Sequence, residues 1–204
     1  MPATEVAAFV RANLPRPPVR VLEVGAGDGR LAAALAESGY DVVAIDPEPT
    51  GENVREISLA DLAEPPGSFD AAVAVVSLHH VDPLGASLGR LADALKPGAP
   101  LVVDEFDVEA FGEREATRWL RERRARGGTE DATAVELVGD MRSHLHSLRQ
   151  VCEALVGSFD AGRPIRGAYL YGWDLDESFR PIEESLIASG ELNAVGARLV
   201  ALRR

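Results

Sequence analysis

Five apolar runs alternate with helix-forming segments through the first half of the chain, and this alternation narrows the possible folds more than any other feature. The runs are VRVLEV (19–24), DVVAID (41–46), the weaker VREISLA (54–60), FDAAVAVVS (69–77) and PLVVDEF (100–106). Strands that are apolar on both faces need cover on both faces, which a parallel sheet between two helical layers provides. Right-handed crossovers then follow. Residues 4–14 read as a short amphipathic helix with Val6, Phe9, Val10 and Leu14 on one side, ended by Pro15, Pro17 and Pro18. LAAALAES (31–38) is rich in strong helix formers and stops at Gly39, and Leu84, Leu88, Leu91 and Leu95 fall at helical spacing.

The pattern changes after Phe106. Residues 107–128 are charged and helical. Residues 131–157 read as one longer helix, with Met141, Leu145, Leu148, Cys152 and Leu155 as its stripe. A sixth strand is expected in RPIRGAYLYGW (163–173). A helix capped by Asp174 or Asp176 follows, with Leu175, Phe179, Ile182 and Leu186 inward and Gly190 at its end. VGARLVALR (195–203) makes a seventh strand. The expectation is a single domain, 1–204: a core at 19–106, a helical elaboration over the cleft at about 107–157, and closing strands at about 163–204.

With 204 residues the chain can bury a full core without staples. Its one cysteine, Cys152, excludes an internal disulfide and a cysteine metal cluster, fits a reducing cytoplasmic compartment, and reads as a small core residue. The N-terminus lacks a basic segment followed by an apolar core, and no run reaches the ~20 apolar residues of a membrane helix. A net charge of −12 argues against nucleic acid and anionic membrane as main partners.

The first strand runs straight into three alternate glycines, Gly25, Gly27 and Gly29, in LEVGAGDGR. Glycine is costly in chain entropy, so its use here implies positive φ or the close approach of another group. In an open parallel sheet, ligands lie beyond the carboxyl ends of the strands near the point where strand order reverses, and the following helix offers free N–H groups. The pattern is G-x-G-x-G, with Arg30 where a dinucleotide fingerprint has its third glycine. Asp46 lies 21 positions after Gly25, at the end of the second strand, where a carboxylate can accept both ribose hydroxyls. Glu23 and Asp46 each place an acid in an otherwise apolar strand, which is costly unless it is paired. Spacing alone thus indicates an adenosine-type ligand.

VLEVGAGDGRLA, VVAID, ADL, FDAAVAVVSLHHV and LKPGAPLVVDEF, in that order, resemble class I S-adenosylmethionine-dependent methyltransferases of the small-molecule type. The resemblance covers about residues 19–106. It implies an α/β fold: a Rossmann-like three-layer sandwich around a seven-stranded, mostly parallel sheet with an antiparallel last strand and a helical insertion after strand 5. It implies S-adenosyl-L-methionine as cofactor, S-adenosyl-L-homocysteine as product, and a small-molecule acceptor. Glu23, Gly25, Ala26 and Gly27 would then line the amino-acid end, with Glu23 near the ammonium. Asp46 would hold the ribose, Asp61 and the Leu62 backbone would meet the adenine, and Ser77 would lie beside the methionine portion.

On the acceptor side, His80 follows the fourth strand and can serve as a base near neutral pH, Glu105 ends the fifth strand toward the cleft, and His144 is a further candidate at its edge. One of His79 and His80 can equally pack beneath the cofactor. His144 and His146, two apart on a helix, point in different directions and do not make a metal site. Trp119, Tyr169, Tyr171 and Trp173 could wall an acceptor pocket, although such aromatics are mostly core. The arginine-rich run REATRWLRERRAR reads as a solvated face; the sharper alternative is a lid, through Arg118 and Arg121, for an acidic acceptor. Two other functions compete. One is a methyltransferase-fold binding protein without catalysis. The other is an NAD(P)-dependent oxidoreductase, disfavoured by the missing third glycine and the lack of a Tyr-x-x-x-Lys pair. The motif SLHH is unlike the Asn/Asp-Pro-Pro-Tyr common in amino-methylating nucleic-acid enzymes.

Overall fold

The computed structural model describes residues 3–204. The sheet order is β3-β2-β1-β4-β5-β8-β6, with β7 also on β8. The strands are β1 (Arg20–Val24), β2 (Asp41–Asp46), β3 (Arg55–Glu56), β4 (Ala71–Val75), β5 (Pro100–Phe106), β6 (Phe159–Ala161), β7 (Ile165–Gly167) and β8 (Gly196–Arg203). The first five are parallel; β8 runs antiparallel to β5, β6 and β7. The helices are α1 (Ala3–Asn13), α2 (Arg30–Glu37), α3 (Leu84–Ala94), α4 (Glu113–Ala125), α5 (Ala134–His144), α6 (Leu148–Leu155) and α7 (Arg180–Ala188). None is long and apolar enough to cross a membrane.

Strand alternation sorts the core into two layers. Val21, Ala71, Val73 and Val102 pack with Val6, Val10 and Leu35 of α1 and α2. Leu22, Val24, Ala72, Ala74, Leu101 and Val103 pack with Leu88 and Leu91 of α3 and Leu148, Val151 and Leu155 of α6. Cys152 packs, half-buried, against this second layer. A third apolar cluster brings Phe106, Phe111, Trp119 and Leu120 together with Leu170, Tyr171, Phe179 and Val195. Because β1 has β2 on one side and β4 on the other, strand order reverses at β1, where the glycine loop leaves the sheet.

The three-layer α/β fold is as expected, with four local differences. The third strand shrinks to two exposed residues, because Ser58 stops it: its Oγ accepts the Asp61 N–H at 3.2 Å and starts a 3-10 turn. The single helix over 131–157 is two, α5 and α6. Ser147 breaks it through a capping box with Gln150, in which each backbone N–H meets the other side chain.

Of the sixth strand expected at 163–173, only Ile165–Gly167, β7, forms. The outer position beside β8 is filled by the two short strands β6 and β7, and residues 170–172 form a 3-10 turn. Glu183 fixes that turn: its carboxylate accepts the N–H groups of Tyr169, Leu170 and Tyr171 at 2.8–2.9 Å. This also corrects the inward face of α7, where Glu183 is fully buried and Ile182 is 45% exposed.

At the other end of the chain, α1 adds to its apolar packing a polar tether through one side chain. Glu5 pairs with Arg198 of β8 at 2.8 Å and Arg180 of α7 at 2.7 Å, and accepts the Tyr171 hydroxyl at 3.0 Å.

Candidate cofactor and methyl-transfer site

The glycine loop is built by close approach and backbone pairing. Gly25 has φ +69°, and a Cβ placed on it would lie 2.3 Å from the Cβ of Ser77. No other residue fits there. The Gly25 and Ala26 N–H groups both donate to Ile45 O, at 2.9 and 3.0 Å. The Gly27 N–H donates to Asp46 Oδ2 at 2.9 Å, while Asp46 Oδ1 accepts the Glu48 N–H at 2.8 Å. Asp46 therefore ties the loop to β2, and each oxygen keeps a lone pair for a further donor.

Two cavities meet at this loop. A cleft of about 590 Å³ is lined by Gly25, Asp46, Glu48, Ser58, Ala60, Val76, Ser77, His80 and Asp82, among others. A smaller one of about 290 Å³ lies on the other side, bordered by Val6, Glu23, Gly25, Ala26, Gly27 and Val76. Gly25 and Val76 belong to both.

Glu23 is the electrostatic anomaly of the site. It is 3% exposed, and its Oε2 has no hydrogen-bond partner among the described residues. Burial pushes its carboxyl up to about 8, the Asp28 charge adds to this, and the Ala32 backbone N–H opposes it. A buried carboxylate with a free oxygen beside a glycine loop fits a cationic group of a ligand.

Val76 is strained. A β-branched residue at φ 51° is a genuine backbone outlier, costing of order 1–3 kcal/mol. Its N–H donates to Asp104 O at 2.7 Å, and the next hydroxyl, Ser77 Oγ, donates to Val24 O at 2.8 Å.

The other expected residues divide. His80 lines the larger cleft, with its imidazole pushed below its ordinary range by burial and by neighbouring His79. Leu62 is buried under the wall formed by Ser58, Leu59 and Ala60, and exposed Asp61 sits beside that wall with Oδ2 accepting from Ser58 Oγ at 2.7 Å.

Glu105 is a correction. It is 1% exposed and does not face an acceptor, because both oxygens are occupied by the Ser77, Leu78 and Phe106 N–H groups and by His79 Nδ1. His144 is another: its side chain is 69% exposed and sits over Asp140 at the end of α5, bordering neither cavity. Its neighbour His146 is the nearer one, with its N–H on His79 O at 2.9 Å and its Nε2 4.0 Å from Asp82.

Of the candidate acceptor aromatics, Trp119, Tyr169 and Trp173 pack against other aromatic rings, and Tyr171 donates its hydroxyl to Glu5. Trp119 stacks on Trp173 at 4.2 Å and donates its Nε1–H to the Trp173 carbonyl; Phe106 packs on Tyr169. None of Trp119, Tyr169, Tyr171 and Trp173 borders either glycine-loop cavity. Arg118 and Arg121 line a separate groove between α4 and α7 and pair with Glu122, so they do not cover the cleft. Sequence reasoning did not single out Val76, Ser58 or Ala60 as cleft residues. Positive φ at a valine leaves no trace in the sequence, whereas the Ser58-x-x-Asp61 turn was readable.

A mostly parallel sheet with a glycine loop at its reversal point, a free buried acid beside that loop and an acid ending β2 define a Rossmann-like α/β domain. More narrowly, the chain belongs to the methyltransferase-domain family, whose model matches residues 3–152. A ubiquinone biosynthesis O-methyltransferase from Xanthomonas campestris is 40% identical, with 48% of each chain covered. The chain thus spans about half the length of that relative. An uncharacterized methyltransferase from Mycobacterium bovis is 29% identical over 81% of this chain and 92% of that one.

The fold matches an S-adenosylmethionine-dependent methyltransferase from Mesorhizobium loti with TM-score 0.66 at 17% identity, covering 99% of this chain and 100% of that one. It also matches 1,6-didemethyltoxoflavin-N1-methyltransferase from Burkholderia thailandensis with bound 1,6-didemethyltoxoflavin and S-adenosylhomocysteine. There the TM-score is 0.56 at 20% identity, with 100% and 76% covered.

Proposed function

We propose that this chain transfers the methyl group of S-adenosylmethionine to a small-molecule acceptor, leaving S-adenosylhomocysteine. The observation that carries the reading is the free, buried Glu23 oxygen near the end of β1, beside the glycine loop whose Gly27 N–H is held by Asp46 of β2. Glu23, with Gly25, Ala26 and Gly27, holds the amino-acid end; Asp46 takes the ribose; Asp61 and the Leu62 backbone take the adenine; Ser77 flanks the methionine portion. The bound cofactor supplies a sulfonium-activated methyl, so the protein's main task is alignment. Where the acceptor is a hydroxyl, His80 accepts its proton, since its depressed pKa keeps the imidazole neutral at neutral pH.

The family membership and the O- and N1-methyltransferase activities of the similar proteins support a small-molecule acceptor. The net charge of −12 supports a partner other than nucleic acid, and the single cysteine supports a reducing, cytoplasmic setting. We read the chain as one domain, with residues 107–157 elaborating the core.

Thermal melts with S-adenosylmethionine, S-adenosylhomocysteine, NAD and NADP test the cofactor. At 100 times its dissociation constant a ligand adds ~2.7 kcal/mol, a rise of roughly 5–10 °C for a domain of this size. A rise with the adenosyl pair alone is expected; a rise with the nicotinamide pair alone overturns the reading. With a hydroxyl acceptor, His80→Ala lowers turnover about 10²-fold or more while His144→Ala leaves it within about twofold, as read by methyl-transfer rates. Equal rates for wild type and His80→Ala remove His80 from the mechanism.

A further inference from the structure

We propose that Glu105 is a positioning residue of this site: it holds the strained Val76–Ser77 turn against the glycine loop and so sets the junction where cofactor and acceptor meet. The inference rests on the methyl-transfer reading above.

Val76 borders both cavities at φ 51°. A valine keeps such a backbone only where its surroundings over-determine it. One carboxylate does most of that work. Glu105 Oε1 accepts the Ser77 N–H at 3.0 Å and the Leu78 N–H at 2.6 Å. Oε2 accepts the Phe106 N–H at 3.1 Å and meets His79 Nδ1 at 2.5 Å. The three residues that follow the strained valine are thus all bound by a single side chain reaching across from β5. Four donors around a fully buried carboxylate amount to a built anchor, not to a strand end facing solvent.

The anchor reaches the cofactor side through Ser77. Its Cβ occupies the space that a Gly25 side chain would need, and its Oγ is tied to Val24 O. A shift of the turn therefore becomes a shift of the glycine loop. A glutamine at 105 keeps the shape but turns one acceptor oxygen into a donor, leaving at least one backbone N–H of the anchor unpaired.

Calorimetry with S-adenosylhomocysteine and with adenosine, on wild type, Glu105→Gln, Val76→Gly and the double variant, tests this. Glu105→Gln is expected to weaken S-adenosylhomocysteine about tenfold or more. Adenosine, which needs the Asp46 and Ser58–Ala60 wall, changes less than about twofold. In the Val76→Gly background the loss from Glu105→Gln shrinks below about threefold, because glycine adopts positive φ without being held. The same loss in both backgrounds, or an equal loss for both ligands with a lowered melting temperature, overturns the proposal.

If Glu105→Gln does not fold, His79→Ala, which removes one of the four contacts, is expected to show the same pattern at about threefold. Unchanged S-adenosylhomocysteine affinity there overturns the proposal too. A wild type that does not bind S-adenosylhomocysteine overturns the methyl-transfer reading as well, whereas tight wild-type binding with indifferent variants sinks only the role of Glu105.

Discussion

Gly25→Ala abolishes cofactor binding and lowers the melting temperature by roughly 10 °C. Two costs combine. An alanine at φ +69° pays about 1–2 kcal/mol for its left-handed backbone. Its Cβ would also stand 2.3 Å from Ser77 Cβ. Ser77 cannot retreat without breaking its bonds to Val24 O and Glu105. A destabilisation of about 3 kcal/mol translates into such a shift for a domain of this size. Melts with and without S-adenosylhomocysteine read both effects at once. A variant that keeps wild-type affinity would show that the loop binds its ligand without the close approach to Ser77.

Glu23→Gln has a split outcome: the ligand-free protein becomes more stable at neutral and higher pH while cofactor affinity falls about 100-fold. The sign follows from the raised carboxyl. Its folded pKa of about 8 stands above the ordinary carboxyl value of 4.5, so between these limits the folded state holds a proton that the unfolded state has released. Folded-state stability is therefore lost progressively as pH rises from about 4.5 to 8, and is constant above. At 1.36 kcal/mol per unit the penalty reaches on the order of 3 kcal/mol by pH 7. Glutamine removes this slope. In the wild type, a cationic ligand at Glu23 expels the proton, so binding near pH 7 releases about one proton and tightens as pH rises toward 8. Calorimetry in buffers of different ionisation enthalpy measures that proton. Absence of proton release, with affinity intact in Glu23→Gln, would separate Glu23 from the ligand.

The sheet and its reversal point were legible because they rest on local repetition. Apolar runs and three alternate glycines fix β1, β2, β4 and β5 and the loop between them. What escaped was set by long-range polar pairing. Glu183 reads as the solvent side of a helix until its three N–H partners in residues 169–171 are in place. Glu105 reads as a strand end until the turn after β4 folds onto it. Ser147 was a readable cap, with Gln150 three residues on, but a continuous leucine stripe concealed it. On an unbroken helix His144 reads as a cleft-edge residue; because the helix ends before Ser147, the His146 backbone N–H meets His79 O and His144 stays in solvent.

The tether through Glu5 sets an order of assembly. Glu5 leaves the ribosome well before its partners Arg180 and Arg198. The strand carrying Arg198 also covers the edge of β5. Until the segment carrying Arg180 and Arg198 has been made, the edge of β5 stays open and α1 lacks two of its anchors. The wall that α1 gives the Glu23 cavity through Val6 is thus secured only after β8 has been added to the sheet.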